Sequence, residues 1–410
     1  MQPRFLIPPD VLDLFRRAIT VGQRAEDEWN RRLDDYKTAQ PQLGAELQRR
    51  LRSEMPEAWD SELPAFAADA RGMATRTASG KVLSALSAKL PELMGGSADL
   101  TPSNNTKFDG AADFGPDTPA GRYIHFGVRE HAMAAALNGM ALYGGVIPYG
   151  GTFLIFSDYM RPALRIAALS HIPSIFVFTH DSVGLGEDGP THQPIEHLAA
   201  LRAMPNLLLI RPADANEVVE AWKIAIARRS GPTALALTRQ NVPIFDRSAT
   251  GSSEGLGRGA YVLASFGKRN PEIILMASGS EVALIYEVAQ RLWTAGISAR
   301  VVSFPSWELF EQQSSEYRES VLPRRVAARI SVEAAVSQGW ERYVGPAGTT
   351  ISIEHFGASA PYKTIFDNFG FTVDNIHAQA RKMLTGTRRV SAARRRPTKS
   401  RAASRRKAVP

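Results

Sequence analysis

The sequence predicts an α/β protein: two doubly wound domains with mostly parallel sheets, preceded by a helical linker. Three observations lead there. Short apolar runs rich in β-branched and aromatic residues, such as SIFVFTH and NLLLIRP, alternate with helix-patterned stretches such as REHAMAAALNGMALYG and ANEVVEAWKIAIARR. The alternation resumes after a Ser/Gly-rich break, DRSATGSSEGLGR. The first 69 residues carry helical spacing only, among many charges. At 410 residues, 44% hydrophobic and 22% charged, the chain has apolar material for more than one core, which excludes a mainly disordered chain, a coiled coil and a collagen-like repeat.

Residues 1–69 read as two helices divided at Pro41, too thin to form a core and therefore a connector lying on another surface. Residues 70–245 form the first α/β domain. In a parallel sheet ligands sit beyond the carboxyl ends of strands, so the loops after SIFVFTH and after VIPYG are the places to search. Residues 246–258 are a linker. The second domain covers 259–385, with strands in EIILMASG, ARVVSFPS, ARISVEA and TTISIEHFG. Between the first two strands lies a helix for which Ser280 suits the N-cap and Gly296 the C-cap.

The net charge of +8 is misleading. Residues 386–410 hold ten Lys or Arg and no acid, so removing those ten leaves −2 for residues 1–385. The tail is expected to be disordered, and nucleic-acid binding can be argued only through it. With no cysteine, disulfides, thiolate metal sites and thiol nucleophiles are excluded. No apolar run reaches the 18 residues of a membrane span, and MQPRFLIPPD lacks the form of a signal peptide, so a cytoplasmic protein without a membrane role is expected.

The segment THDSVGLGEDGPTHQPIEH (179–197) holds three histidines and four acids directly after an apolar strand. Its Gly184-to-Gly189 run fits G-x-G-x-x-G, but Glu187 and Asp188 would oppose a pyrophosphate, and Pro190 and Pro194 deny it the helix such a site needs. His192, Glu196 and His197 miss the zinc spacings, and His197 belongs to the next helix; no metal ligands are assigned. His180, Asp188 and His192 suit a polar pocket. In GRYIHFGVREHAM, Glu130 opens a helix; read alone, it is a dipole-complementing carboxylate or the partner of Arg129. Phe153, Phe156 and Tyr159 recur every three residues as an aromatic face, and Gly150 and Gly151 could admit a flat ring. Arg76, Ser103 and Arg239 could grip a phosphate, or simply be surface groups.

These segments occur in one order: GGSADLTPSN, FGVREHAMAAALNGMALYGG, TFLIFSDY, THDSVGLGEDGPTHQPIEHLAALRAMPN, GPTALALTRQN and FGFTVDN. Together they resemble transketolase over about residues 4–384, and the THDSVGLGEDGPTHQP wording is unlike that of the deoxyxylulose-phosphate synthases or pyruvate dehydrogenase β subunits that share the fold. The resemblance implies a pyrimidine-binding domain at 70–245 and a C-terminal domain at 259–385. It also implies thiamine diphosphate chemistry that moves a two-carbon ketol unit between sugar phosphates. Glu130 resembles the glutamate that contacts the aminopyrimidine N1′ and tunes the cofactor's acid–base state. Phe153, Phe156 and Tyr159 resemble the pyrimidine pocket, with Phe156 stacking. His192 resembles the histidine near the reacting carbon, and Asp188 the residue reading a substrate hydroxyl. Arg76, Ser103, His180 and Arg239 resemble the phosphate-holding set.

One departure stands out. The family's diphosphate-binding domain carries G-D-G and a later Asn that hold a divalent metal. Here the nearest strings are Phe108-Asp109-Gly110 and Glu187-Asp188-Gly189. The expectation is the C-terminal subunit of a split transketolase. A separate diphosphate-binding chain would hold Mg2+ or another divalent metal, and the chain itself would form a homodimeric core. The alternative is a non-catalytic truncated paralogue that acts as a binding protein.

Overall fold

The computed structural model describes residues 5–267 and 270–394. Helices α1 (Pro9–Ala39) and α2 (Pro41–Leu51) meet at Gln40, with Pro41 opening the second, as its missing N–H allows. Not one residue of α1 is buried; Phe15 and Ile19 are 72% and 71% exposed. The connector is anchored further on. Arg49 reaches Glu92 at 2.8 Å, and the backbone N–H and C=O of Phe66 bond the Asn216 side chain at 3.0 and 2.9 Å.

The first domain begins with β1 (Asp69–Ala74), then α3 (Thr75–Lys89), β2 (Leu93–Ser97), α4 (Thr101–Asn104), β3 (Tyr123–His125), α5 (Glu130–Tyr143) and β4 (Ile147–Phe153). It continues with α6 (Ser157–Leu169), β5 (Ile175–Thr179), α7 (His197–Arg202), β6 (Leu208–Ile210), α8 (Ala215–Ala227), β7 (Thr233–Leu237) and β8 (Asn241–Ile244). Six strands form one parallel sheet in the order β3-β2-β4-β5-β7-β6, and β1 pairs with β8 as a separate antiparallel ribbon. Every residue of β4, β5 and β7 is buried, because helices cover both faces. α3 and α8 bring Val82, Leu86 and Trp222 to one face; α5, α6 and α7 bring Met133, Leu137, Leu164 and Leu198 to the other. The Trp222 indole N–H donates to Ser79 Oγ at 2.8 Å, so even this fully buried ring has its polar atom satisfied.

The second domain has β9 (Tyr261–Phe266), β10 (Ile273–Ala277), α9 (Glu281–Thr294), β11 (Ala299–Ser303), β12 (Arg329–Val332) and β13 (Thr349–Ile351). Its sheet runs β13-β12-β10-β11-β9, parallel except for the β9 edge. The expected architecture therefore holds in both domains.

Local detail refines some expectations and corrects others. The 246–258 segment is a fitted strap: Arg247 pairs with Asp214 at 2.7 Å and donates to Gly251 O and Tyr261 Oη, each at 2.9 Å. Ser280 precedes α9, but its hydroxyl turns to Glu281 Oε1 rather than to a helix N–H. Gly296 does take the left-handed φ of +77° expected after a helix. Gly150 and Gly151 admit no ligand ring, because Leu137 and Thr106 already fill the space where their side chains would sit. The final helix, Val373–Arg394, carries residues 386–394, which were expected to be disordered; the rest of the basic tail lies outside the described residues. Among the described residues no helix is long and apolar enough to cross a membrane.

Candidate active site

The parallel sheet ends its strands in a row, and the loops there carry the ionisable groups. A pocket of about 650 Å³ opens beside the ends of β2 and the start of α5, lined by residues 98–100, 128–131, Phe156 and Tyr159. Glu130 is the first residue of α5, only 7% exposed, and its carboxylate has no protein partner among the described residues. The ion pair with Arg129 that the sequence left open is not formed: the Arg129 guanidinium lies against Gly127 instead. A helix start tolerates such a carboxylate. An unpartnered one buried in a pocket wall calls for a donor from outside the chain.

The aromatic face is built differently from the expected helix stripe. Phe153 closes β4, Phe156 sits in a 3-10 turn, and Tyr159 lies in the first turn of α6. Phe153 and Phe156 still stack, with centroids 5.7 Å apart and planes 9° from parallel, and Tyr159 continues the row at 5.9 Å. Only Phe156 and Tyr159 line the pocket; Phe153 is buried behind them. Its other face stacks on His180 at 3.6 Å, and the His192 ring meets Phe156 edge-on at 5.6 Å. The aromatic row thus joins the pocket to a second group of residues.

That second group sets two arginines, Arg76 and Arg239, beside His180 and His192. His180, after β5, takes a left-handed φ of +59°, an uncommon conformation for a residue with a side chain. A hydrogen-bond chain fixes its ring: Ser97 Oγ donates to Asn104 Oδ1 at 2.8 Å, Asn104 Nδ2 to Thr179 Oγ1 at 2.7 Å, and Thr179 Oγ1 meets His180 Nδ1 at 2.8 Å. Burial, and then the positive charges of Arg76 and Arg239, push the His180 pKa down to about 3. Burial also lowers that of Arg76, as does Arg239 beside it. Arg76 Nε is buried without a partner. Two guanidinium groups acting on one another, with no carboxylate paired to either among the described residues, make an anion site.

The remaining candidates vary. Ser103 is present through its backbone, whose carbonyl accepts from Arg76 Nη1 at 2.7 Å. Arg239 is exposed at the rim, and His192 is half-buried. Asp188 is exposed on its loop, and no contact ties it to the cluster. The 184–189 run forms a short turn with no helix opening after it, as expected. His197 lies on α7 and bonds Asp158 at 3.1 Å, a partner the sequence did not suggest.

Sequence reasoning missed Asp99, Arg129 and His131 as pocket-lining residues, and the Asn104–Thr179 chain. Asp99 has a left-handed φ of +61° two residues after the strand LMGGS, a position that a strand-end argument could have singled out.

Residues 71–244 match the transketolase pyrimidine-binding domain, and residues 259–372 the transketolase-like C-terminal domain. Residues 1–56, expected as a linker, match part of the family's thiamine diphosphate-binding domain. The chain is 49% identical over 381 residues to a transketolase of Geobacillus stearothermophilus, covering 93% of this chain and 57% of that protein. It thus spans little more than half the length of such relatives. The crystal structure of a Pichia stipitis transketolase in complex with sedoheptulose 7-phosphate superposes with a TM-score of 0.89 at 43% identity, covering 94% of this chain and 57% of the other. A split-gene transketolase, described as an inactive β4 tetramer, superposes at 0.61 and 26% identity, over 77% of this chain and 99% of its own. Two matched domains in sequence order, with half the residues identical to the Geobacillus enzyme, show that this chain belongs to the transketolase family.

Proposed function

We propose that this chain is the C-terminal subunit of a split transketolase. With a separate diphosphate-binding chain, it would transfer a two-carbon ketol unit from a ketose phosphate to an aldose phosphate. The observation that carries the reading is the open pocket in which buried Glu130 has no partner among the described residues. The split-gene relative, whose whole length this fold covers, supports a subunit of these domains standing alone in a genome.

The pocket fits the pyrimidine half of thiamine diphosphate: a buried carboxylate lies at one wall and two aromatic rings at another. When bound, that cofactor supplies a carbon nucleophile able to carry the ketol unit. The chain's own residues do the rest. Glu130 would share a proton with the cofactor's ring nitrogen, and Phe156 would stack on the ring. Arg76, Arg239 and His180 would hold the substrate phosphate. His192 would pass protons at the substrate hydroxyls, and Asp188 would read their configuration. Mg2+ or another divalent metal would be held by the partner chain, which carries the diphosphate cradle. At the far ends of the helices whose starts border the pocket, α5 and α6 turn Leu142, Tyr143, Ile166 and Leu169 outward, 69%, 91%, 49% and 62% exposed. A surface this apolar supports burial in an assembly, including a homodimeric core. A cytoplasmic location fits this reading.

Turnover of a ketose phosphate with an aldose phosphate tests the reading, with thiamine diphosphate and Mg2+, with and without the diphosphate-binding chain. Turnover requires both chains and is lost in Glu130→Ala. Full activity of the lone chain overturns the split site. A pair that binds but never turns over favours the non-catalytic paralogue.

A further inference from the structure

At the carboxyl end of β10, the central strand of the second sheet, one side chain from the first domain fills the crevice. Arg211, directly after β6, is fully buried. Its Nε donates to Asp181 Oδ2 at 2.8 Å; its Nη1 donates to Ser278 O at 3.0 Å and pairs closely with Glu281. The backbone joins in: Arg211 N–H donates to Pro305 O at 2.9 Å, and Gly279 N–H to Arg211 O at 3.2 Å. Gly279 has a φ of +58°, and a Cβ there would stand 2.6 Å from the guanidinium carbon, so only glycine lets the group lie flat. Glu333, at the end of β12, completes the cluster and takes Arg202 in a two-pronged pair at 2.7 and 2.8 Å.

We propose that the C-terminal domain positions His180: Glu281 and Gly279 fix Arg211, Arg211 fixes Asp181, and Asp181 holds the adjoining His180 in its left-handed backbone conformation on the phosphate side of the site. Asp181 is fully buried, and Arg211 is its ion-pair partner. A residue at φ +59° persists only where its surroundings over-determine it, and the Arg211 anchor supplies one side of that constraint. Further ties run the same way. Ser359 Oγ donates to Glu187 O at 2.5 Å, and Gln193 Nε2 to both Gly186 O and Ala358 O at 2.9 Å. The loop carrying His180, Asp188 and His192 is therefore seated on the second domain along its length. Glu281 and Gly279 are positioning residues that act through Arg211 and touch no substrate.

The phosphate role of His180 rests on the proposed ketol transfer, so two readouts are needed. In the two-chain complex, Glu281→Gln raises KM for a phosphorylated ketose about tenfold. It leaves kcat, and KM for an unphosphorylated ketol donor, within about twofold, while Glu281→Asp recovers most of the loss. Gly279→Ala, which displaces the guanidinium without changing any charge, gives the same split where Glu281→Gln does not fold. Equal losses on both donors, or unchanged KM values in folded variants, overturn the proposal. Should the wild-type complex turn over neither donor, the ketol-transfer reading fails, and the positioning is decided on the chain alone by NMR titration of the His180 ring. In either variant that titration moves from about 3 toward the ordinary histidine range by about one pH unit or more. Identical titrations in folded wild type and variants overturn it.

Discussion

The two α/β domains use the same architecture to opposite ends. In the first, the carboxyl edge of the sheet is open, with a pocket, an unpartnered carboxylate and a cationic cluster. In the second, the equivalent edge, at Ser278, Pro305 and Glu333, closes on Arg211 and Arg202 from its neighbour. The strand-end rule locates where a site can be; whether one exists depends on what fills the crevice. A guanidinium held by three acids occupies the second crevice much as a ligand would.

The sharpest way to break the comparison is at Glu130. Glu130→Ala should lower ketol transfer by the amount typical of a lost acid–base group, about 10²- to 10⁴-fold, with an unchanged circular dichroism spectrum. A loss below about tenfold would mean that the open edge is not where the chemistry occurs. In the closed edge the corresponding change costs stability instead. Arg211→Met leaves buried Asp181 and Glu281 uncompensated and should destabilise the fold by about 3–5 kcal/mol, read by urea unfolding. Arg239→Ala, at the exposed rim, should weaken binding of sugar phosphates by about tenfold while leaving Tm nearly unchanged.

The smallest effect is on pH dependence. The His180 pKa in the folded protein, about 3, lies below its ordinary value of 6.5. Between those pH values the unfolded chain binds a proton that the folded one refuses. The contribution of the neutral ring is therefore complete above about pH 6.5 and is lost as pH falls toward 3. His180→Gln should flatten the acid limb of a stability-versus-pH curve, where one such group contributes a slope of at most about 1.4 kcal/mol per pH unit. An unchanged limb would place His180 in a wetter setting than its stacking on Phe153 indicates.

Strand runs such as IFVFT and IILMA were legible because burial on both faces leaves a continuous apolar record. Glu130, Phe156 and Tyr159 could be named because their motif was distinctive, and the structure brings all three to one pocket. The strand-to-turn-to-helix path of the aromatic row was not legible, since a three-residue spacing is equally compatible with one helix. Ser103 was named for a hydroxyl but contributes a carbonyl, which no side-chain pattern reveals. Asp181 and Arg211 lay inside quoted motifs and passed unnoticed, because Arg211's partners stand 30, 67 and 70 positions away and only folding brings them together.

The outward-facing wall beside Glu130 has a consequence for handling the protein. Val128 and Tyr159 line the pocket there and are 78% and 66% exposed, so one side of it stands open. If that side is closed by another polypeptide, the specific activity of a preparation is not a constant. It should fall on dilution once the concentration drops below the dissociation constant of the covering surface, and rise again when the partner is added back.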